Sequence, residues 1–403
     1  MALLSVSDAL DRVLAGVEPI GIEKVSLADA FHRVLAADLV ASRTQPPADV
    51  SSMDGYAVRA DDVATVPIAL KLIGEVAAGR PFDRPIGAGE AVRIFTGGVI
   101  PQGADAIVIQ ENTDRNGTDV IVREPSSRGK HVRPQGLDFR SGDVLLTRGR
   151  HLTDRDVALI AAMNHPHITV YRRPKIALIA TGDELVRPGT EPAPGQIVSS
   201  NAFALAALAR NEGAEAIDLG IVPDSLDATM AAVEQAKNLK ADVLMSSGGA
   251  SVGDYDLIQK ALVAKGMSLA FWRVALRPGR PVMHGDLGGM RVLGLPGNPV
   301  SAYVCAFLFL LPLIRRLSGR TDIQPITESA LLGRDLGAND ERTDYLRATL
   351  SRNPAGDVVA TPHPLQDSSM LTPLAKADCL LIREPFAPAA HSGSLCTVVK
   401  FGL

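Results

Sequence analysis

The chain has 403 residues, which at about 150 residues per domain predicts two to four domains rather than a single core. Its residues are 46% hydrophobic and 21% charged, so wholesale disorder is excluded. The formal net charge is −4 and aromatic residues make up only 4% of the chain, whereas a general nucleic-acid binder needs a basic face and aromatic stacking platforms.

The cysteines and the N-terminus indicate the cellular compartment. Cys305, Cys379 and Cys396 lie far apart and form no CxxC pair, so neither a disulfide framework nor a thiolate metal site is expected. The first residues lack the basic-then-apolar order of a secretory signal. The longest apolar run, residues 300–314, is shorter than the roughly 20 residues that span a bilayer. We therefore expect a cytoplasmic protein without a membrane segment.

The N-terminal third combines helical and β patterns. Within residues 1–45, apolar side chains at helical spacing predict two helices, one around Val13 and one from Leu27 to Leu35. Residues 46–145 change to short β-branched runs cut by Gly, Pro and Asp-Gly turns, which predicts a β-rich domain. Thr153 then caps a further predicted helix. Residues 1–45 and 146–174 are interpreted as one helical linking domain into which the β-rich domain is inserted.

The remaining chain predicts two further domains. Residues 175–322 alternate strands and helices, the pattern of a doubly wound, mostly parallel sheet with helices on both faces. Residues 323–403 return to short strands, which predicts a β-barrel-like C-terminal domain. The expected fold class is therefore mixed α/β and multidomain, built around the central α/β domain.

Ligands of open α/β sheets bind beyond the carboxyl ends of the strands, so the loops at those ends are informative. Two of them carry Glu184 and Asp224, which could also be an exposed acidic turn and a simple helix cap. Residues 247–253 are rich in Gly, which lets a backbone approach an oxyanion closely. Asn298 and Pro299 form a good helix start, and a helix N-terminus in a cleft can receive an anion.

Three arginines, Arg273, Arg277 and Arg280, add forked donors for an oxyanion, unless they form only a solvated basic turn. Acids beside a phosphate would repel it unless Mg²⁺ lay between them. Together these loops predict a site for phosphate and a divalent cation. Residues 249–253 also match the G-x-S-x-G motif of serine hydrolases, but acids follow at once and no oxyanion segment is visible.

Read together, the motifs resemble those of a known family. They are SSMDGYA (51–57), RIFTG (93–97) with PQGADA (101–106), TGDE (181–184), SGGASVG (247–253), RPGR (277–280) and LPGNPVSA (295–302). In this order they resemble the molybdopterin molybdenumtransferases, the MoeA and gephyrin E-domain family, over nearly the whole chain. The resemblance implies insertion of molybdenum from molybdate into adenylylated molybdopterin, with Mg²⁺ present and AMP released. It also implies a homodimer joined through the linking domain, and allows transient contact with a molybdopterin adenylyltransferase or apo-molybdoenzymes.

The resemblance also implies roles for individual residues. The residues expected to carry catalysis are Asp54, Thr96, Glu184, Asp224, Asp256 and Arg347, with Asp54 and Thr96 supplied by the partner subunit. Asp224, Asp256 and Glu184 would hold Mg²⁺ and the phosphates. Molybdate would contact Ser251, Arg277, Arg280, Arg347 and Ser368. Arg273 would lie near the nucleotide, and Pro296, Asn298 and Pro299 would shape the pterin-side loop.

Two departures and two alternatives accompany this interpretation. Positions 273, 277 and 280 are Arg where many relatives carry Lys, which keeps the charge but changes the donor geometry. Asp367 stands where relatives usually have Gly, and an acid there is expected to weaken anion binding near Ser368. The alternatives are a molybdopterin adenylyltransferase-like enzyme, which would not require the flanking β domains, and a non-catalytic cofactor-binding scaffold.

Overall fold

The computed structural model describes residues 3–77, 79–248, 257–271 and 273–402. The chain begins with α1 (Val6–Leu14), β1 (Ile22–Ser26) and β2 (Leu39–Val40). The helix predicted from Leu27 to Leu35 is wrong, because only a 3-10 turn at Leu27–Asp29 forms and the following residues bridge to extended backbone elsewhere. Pairing with distant segments overrides the local spacing there, which a sequence pattern does not report.

The inserted β-rich region is built mainly on one sheet. Its strands are β3 (Val50–Ser51), β4 (Gly55–Val58), β5 (Ile68–Val76), β6 (Glu90–Ile94), β7 (Ala106–Ile109), β8 (Thr113–Asn116), β9 (Asp119–Val122) and β10 (Val132–Arg133). Six of them form a sheet in the order β7-β4-β6-β5-β9-β8. Buried hydrophobic clusters cover both faces of this sheet, so the sheet fixes the positions at which its connecting loops begin and end.

The chain then returns to the linking region through β11 (Val144–Leu146), α2 (Asp154–Ala162) and β12 (His167–Tyr171). Thr153 caps α2, as predicted, and it does so in a reciprocal capping box with Asp156. β12 pairs with β1, and β11 pairs with β2. The two chain segments on either side of the inserted region are thus joined by strand pairing.

The α/β region contains most of the helices. Its elements are β13 (Lys175–Thr181), β14 (Leu185–Val186), β15 (Ile197–Val198), α3 (Asn201–Asn211), β16 (Glu215–Val222), α4 (Leu226–Asn238), β17 (Val243–Ser247), α5 (Leu257–Ala264), β18 (Ser268–Phe271), β19 (Leu276–Arg277), β20 (Met283–Leu287), β21 (Met290–Leu295), α6 (Pro299–Cys305) and α7 (Leu311–Leu317). The central sheet has the order β16-β13-β17-β21-β20-β18, of which the first four strands are parallel. The mostly parallel sheet is therefore confirmed.

One long helix lies against this sheet. A π-helical turn, Ala306–Leu310, joins α6 to α7, and the combined helix Pro299–Leu317 is apolar enough to cross a membrane by length and composition. It is 78% buried within the protein. It packs with α1 and with inward-facing residues of β13 and β21. These contacts are those of a core helix in an α/β fold.

The C-terminal region forms a closed barrel. Its elements are β22 (Thr327–Leu332), β23 (Thr343–Arg352), β24 (Val358–Pro362), α8 (Leu371–Ala375), β25 (Cys379–Arg383) and β26 (Leu395–Lys400). The ring β23-β24-β22-β26-β25 closes because β25 also pairs with β23. The short strand β19 lies between β18 and β20 in sequence but pairs with β23 and not with the central sheet, which connects the two regions. The predicted fold class, mixed α/β with several domains, is confirmed.

Candidate functional site

A cavity of about 790 Å³ lies at the carboxyl edge of the parallel strands. Its wall includes Thr181 at the end of β13, Asp224 after β16, Ser247 at the end of β17 and Pro296 after β21. β13 and β17 are neighbours in the sheet, while β16, which lies between them in sequence, is on the far side of β13. The chain order therefore reverses at this point, and such switch points are where α/β sheets bind ligands.

Two carboxylates line the cavity, those of Glu184 and Asp224. Asp224 is not the cap of α4, because the Ser225 hydroxyl accepts the Ala228 N–H at 3.2 Å. The backbone N–H of Asp224 donates to the Asp183 carboxylate at 3.0 Å, which ties the loop after β16 to the loop after β13. The carboxylate of Asp224 therefore has no capping duty and is exposed at the cavity.

The glycine-rich loop begins at Gly248, which also lines the cavity. Its φ is +90°, and a Cβ at this position would lie 2.6 Å from the Thr181 carbonyl oxygen. Glycine is required here by both the backbone conformation and the close approach of β13. The following residues, 249–256, lie outside the described residues, and with them Ser251, Asp256 and the G-x-S-x-G segment.

The start of α6 forms another wall of the cavity through Pro296, Asn298 and Pro299. Asn298 occupies the N-cap position of this helix, as predicted, but its side chain makes no capping hydrogen bond. Its side-chain Nδ2 donates instead to the Ser368 hydroxyl at 2.9 Å, and the Val300 N–H donates to the Ser368 carbonyl at 3.0 Å. Pro299 has no N–H, so the N–H of Val300 is the first that needs an acceptor. A barrel residue thus supplies the cap of a helix in the neighbouring region.

The three predicted arginines take different positions. Arg280 lines the cavity. Arg277 is outside the cavity wall and bonds to the C-terminal region, where its Nε donates to Asp344 at 2.7 Å and its Nη1 contacts Asp340 at 3.2 Å. The Arg273 side chain is exposed and does not line the cavity, and its carbonyl accepts the Leu4 N–H at 3.3 Å. The structure therefore brings one of the three guanidinium groups to this cavity.

Arg347 is the largest fully buried side chain of the described residues, at 1% exposed. Its Nε donates to Gln366 Oε1 and its Nη1 to the Met370 carbonyl, both at 3.1 Å. Burial lowers the pKa of this guanidinium below its ordinary value. Arg347 does not line the cavity, but the loop that it holds carries Ser369, which does.

Asp367 belongs to the same loop, and its carboxylate accepts two hydrogen bonds from Ser369. It accepts the Ser369 hydroxyl at 2.6 Å and the Ser369 N–H at 2.8 Å. These bonds hold the pKa of Asp367 below its ordinary value. The acid is thus used to shape the turn, and Asp367 does not line the cavity.

Asp54 and Thr96 form a second polar site on the inserted region. Asp54 Oδ1 accepts the Thr96 N–H at 2.7 Å and the Thr96 hydroxyl at 2.8 Å. The bond from the Thr96 backbone is the main cause that lowers the pKa of this exposed carboxyl. Beside this pair, the guanidinium carbon of Arg93 lies 5.0 Å from the ring centroids of both Tyr56 and Phe95, in cation–π contact with each. Neither Asp54 nor Thr96 lines the cavity of the same chain.

Several cavity residues were not predicted from the sequence. Asn201 donates from Nδ2 to the Gly297 carbonyl at 2.8 Å and ties α3 to the start of α6. Ser369 and Leu371 extend the wall from the C-terminal region. The Ser-Ser-Asn sequence between β15 and the first turn of α3 is a polar signal of the kind found at the other strand ends. No comparable signal marks Leu371.

The donor set can be tested for a divalent cation. Among the described residues no group of three His, Cys, Asp or Glu side chains could hold a metal ion. Glu184 and Asp224 nevertheless share one cavity, and Mg²⁺ commonly binds through one or two carboxylates together with substrate phosphates. The residues present therefore fit a Mg²⁺ ion that arrives with a phosphate ligand.

The fold and this cavity define a multidomain α/β protein whose ligand site lies at a topological switch point. Three family models match in chain order: the MoeA N-terminal region (domain I and II) over residues 4–164, the "Probable molybdopterin binding domain" over 177–316 and the MoeA C-terminal region (domain IV) over 329–401.

Full-length relatives give the same result. The molybdopterin molybdenumtransferase of Haemophilus influenzae is 33% identical over 99% of both chains, and that of Bacillus subtilis is 35% identical over 94% of this chain and 90% of its own. A crystal structure of a molybdopterin biosynthesis MoeA protein from Pyrococcus horikoshii superposes with a TM-score of 0.85 at 28% identity, covering 99% of this chain and 100% of the other. The chain belongs to the MoeA family of molybdopterin molybdenumtransferases, which confirms the resemblance found in the sequence.

Proposed function

We propose that this protein is a transferase that inserts molybdenum from molybdate into adenylylated molybdopterin and releases AMP, the last step of molybdenum cofactor biosynthesis. The observation that carries the proposal is the cavity at the switch point, where Glu184, Asp224 and Arg280 meet the start of α6. A substrate with phosphates and an oxyanion can be held by acids that carry Mg²⁺ together with a guanidinium group. The names of the full-length relatives support the same reaction.

The residues of the cavity have separate tasks. Arg280 would bind an oxyanion through its forked donors, and Pro296 and Pro299 would limit the space beside the pterin. Glu184 and Asp224 would hold Mg²⁺, which when bound neutralises phosphate charge. The remaining roles stay predictions from the resemblance, namely those of Ser251, Asp256, Arg273, Arg277, Arg347 and Ser368.

The thiolates that hold molybdenum would come from the pterin dithiolene, because soft sulfur ligands suit this metal. The chain's own thiols are unsuited to the task. Cys305 and Cys379 are buried, burial raises the pKa of Cys379 to about 12, and none of the three cysteines lines the cavity.

The proposal includes a cytoplasmic homodimer. Asp54 and Thr96 form an exposed, ordered pair away from the cavity of their own chain, which suits a role at the cavity of a second copy. The two contributions would then complete one site. A molybdopterin adenylyltransferase would need only the α/β region, and the matched N-terminal and C-terminal family regions argue against that alternative.

The reaction can be tested directly. Purified protein is incubated with adenylylated molybdopterin, Mg²⁺ and molybdate, and both AMP release and activation of an apo-molybdoenzyme are measured. We expect both signals to require molybdate and Mg²⁺. AMP release that is independent of molybdate, or product that fails to activate the apo-enzyme, would contradict the proposal.

A further inference from the structure

Two histidines, His32 and His151, lie side by side in the linking region and outside the cavity wall. His32 Nδ1 and His151 Nε2 are 3.3 Å apart, although the two residues are separated by 119 positions in sequence. We propose that this pair binds a divalent transition-metal ion, of which Zn²⁺ fits best, and that the ion joins the two chain segments at the base of the inserted β-rich region. This site is independent of the proposed function.

The distance between the two nitrogens selects the geometry of the ion. Tetrahedral Zn²⁺ with Zn–N bonds of about 2.0–2.1 Å holds two imidazole nitrogens about 3.3 Å apart. Ligands at right angles with the same bond length, as in octahedral or square-planar sites, would lie about 2.9 Å apart. The ring centroids of His32 and His151 are 5.2 Å apart, farther than the nitrogens, so both nitrogens point into the space between the rings. The observed separation therefore favours a tetrahedral ion bound by imidazole, which is typical of Zn²⁺.

The backbone holds both ligands in place. The His32 N–H donates to the Leu152 carbonyl at 3.1 Å, and the Leu152 N–H donates to the Arg33 carbonyl at 2.8 Å. Val34 forms a further bridge to His151. The φ of His32 is +57°, in the left-handed region that non-glycine residues seldom adopt, so its ring is placed beside His151 at some cost in backbone energy. Side chains held on paired backbone need little reorganisation to bind a metal ion.

The state of the His151 ring suits a metal ligand. Burial, followed by the charges of Arg320 and His32, lowers its pKa to about 4. The ring is therefore neutral at pH 7, and no proton competes with a metal ion for its free lone pair. His32 is exposed, which gives an ion a path from solvent to the space between the rings.

The charged groups near His151 do not oppose a cation. Arg320 donates to Glu212 at 2.9 Å and also pairs with Asp322. Glu212 accepts a second bond, from Arg315, at 2.8 Å. These two arginines and two carboxylates carry no net charge, and both carboxylates act to raise the pKa of His151, so negative charge lies within reach of the ring. The described residues supply two ligands, and water would fill the other positions of a tetrahedral ion.

A hydrogen bond between the two rings is the alternative explanation of their contact, and it differs from a metal site in one measurable way. An ion bound by both rings stabilises the folded state, because the unfolded chain rarely brings together two residues that are 119 positions apart. A pair of rings that is only hydrogen-bonded gains no stability from Zn²⁺.

The test is a calorimetric titration of the metal-free protein with Zn²⁺, in an excess of Mg²⁺ that occupies carboxylate sites. We expect a Zn²⁺ site whose affinity falls about tenfold or more in His32→Asn and in His151→Gln. Asn tolerates the left-handed backbone at position 32, so that variant removes the ring without new strain. His391→Gln is the matched control, because His391 is an exposed histidine 3.3 Å from a carboxylate, that of Asp335. Its Zn²⁺ affinity should equal that of the wild type.

Urea denaturation gives the second readout. Zn²⁺ at about a hundred times its Kd should raise the folding equilibrium constant of the wild type about a hundredfold, and His32→Asn or His151→Gln should abolish this gain. The proposal fails if either variant binds Zn²⁺ as tightly as the wild type, or if His391→Gln loses as much affinity as they do. A wild-type protein that Zn²⁺ does not stabilise would also overturn it and leave the two rings as a hydrogen-bonded pair.

Discussion

The two sides of the cavity are constructed in different ways. On the α/β side, Thr181, Asp224 and Ser247 are placed by strand order, because parallel strands end at one edge of the sheet. On the barrel side, Ser368 and Ser369 belong to the loop that follows β24. Side-chain hydrogen bonds from Asn298 and between Arg347 and Gln366 hold this loop in place. The α/β wall should therefore keep its position when a carboxylate is replaced by an amide. The barrel wall should move when a side-chain amide that holds its loop is removed.

The largest effect is expected for Asp224→Asn, which removes a cavity carboxylate without changing size. The wall is held by the sheet, so the circular dichroism spectrum and the unfolding midpoint should stay those of the wild type. The kcat/KM for AMP release should fall on the order of a hundredfold, because the variant lacks a charge that we propose holds Mg²⁺.

Asp227→Asn is the matched control, since Asp227 is exposed in the first turn of α4 and does not line the cavity. Its kcat/KM should equal that of the wild type. Equal losses in both variants would mean that net charge, and not the position of Asp224, controls the reaction.

The second prediction concerns the geometry of the α/β wall. Gly248 and Gly189 both have φ near +90°, but only Gly248 faces a close neighbour, the Thr181 carbonyl. Gly248→Ala should lower the free energy of unfolding by about 1–3 kcal/mol more than Gly189→Ala, since the shared backbone strain cancels in the comparison. Urea denaturation of both variants measures the difference. Equal destabilisation would show that β13 and β17 can separate at this edge.

The smallest effect lies in the linking region, away from both walls. Burial, with a smaller contribution from Arg320 and then His32, lowers the pKa of His151 from 6.5 to about 4. The folded state thus favours the neutral ring, so its stabilising contribution is complete above pH 6.5 and is lost as the pH falls from 6.5 toward 4. Because the ring is only partly buried, solvent screening reduces the expected loss at pH 5 to about 1 kcal/mol.

His151→Gln should reduce the loss of stability between pH 7 and pH 5, measured by urea denaturation, while the lowered pKa of the buried His284 keeps part of it. His167→Gln, which replaces an exposed histidine of the same region, should retain it. A wild-type protein whose stability is the same at both pH values would contradict the assignment to His151.

Sequence patterns predicted much of the fold because its elements are local. Alternation gave the strands and helices of the α/β region, and strand ends gave Glu184 and Asp224. The pattern failed where distant segments decide the outcome. Residues Leu27 to Leu35 have helical spacing, but Val34 and Leu35 bridge to His151 and Val170, far along the chain.

Side-chain partners were the least predictable part of the site. Asn298 is suited to cap a helix through its side chain, but that side chain bonds to Ser368. Arg277 is suited to bind an anion, but it bonds to Asp344. Gln366 carries no chemistry that marks it in the sequence, and its four hydrogen bonds to Arg347 and His363 are visible only in three dimensions. Such contacts depend on the docking of regions, which no local spacing records.

The first backbone N–H of the long core helix, that of Val300, donates to the Ser368 carbonyl. The C-terminal barrel therefore caps a helix of the α/β region. Rotation of the barrel away from the sheet would expose a hydrogen-bond donor directly beside the cavity. Separation of the two regions would therefore deprive the α/β region of a helix cap as well as of an interface.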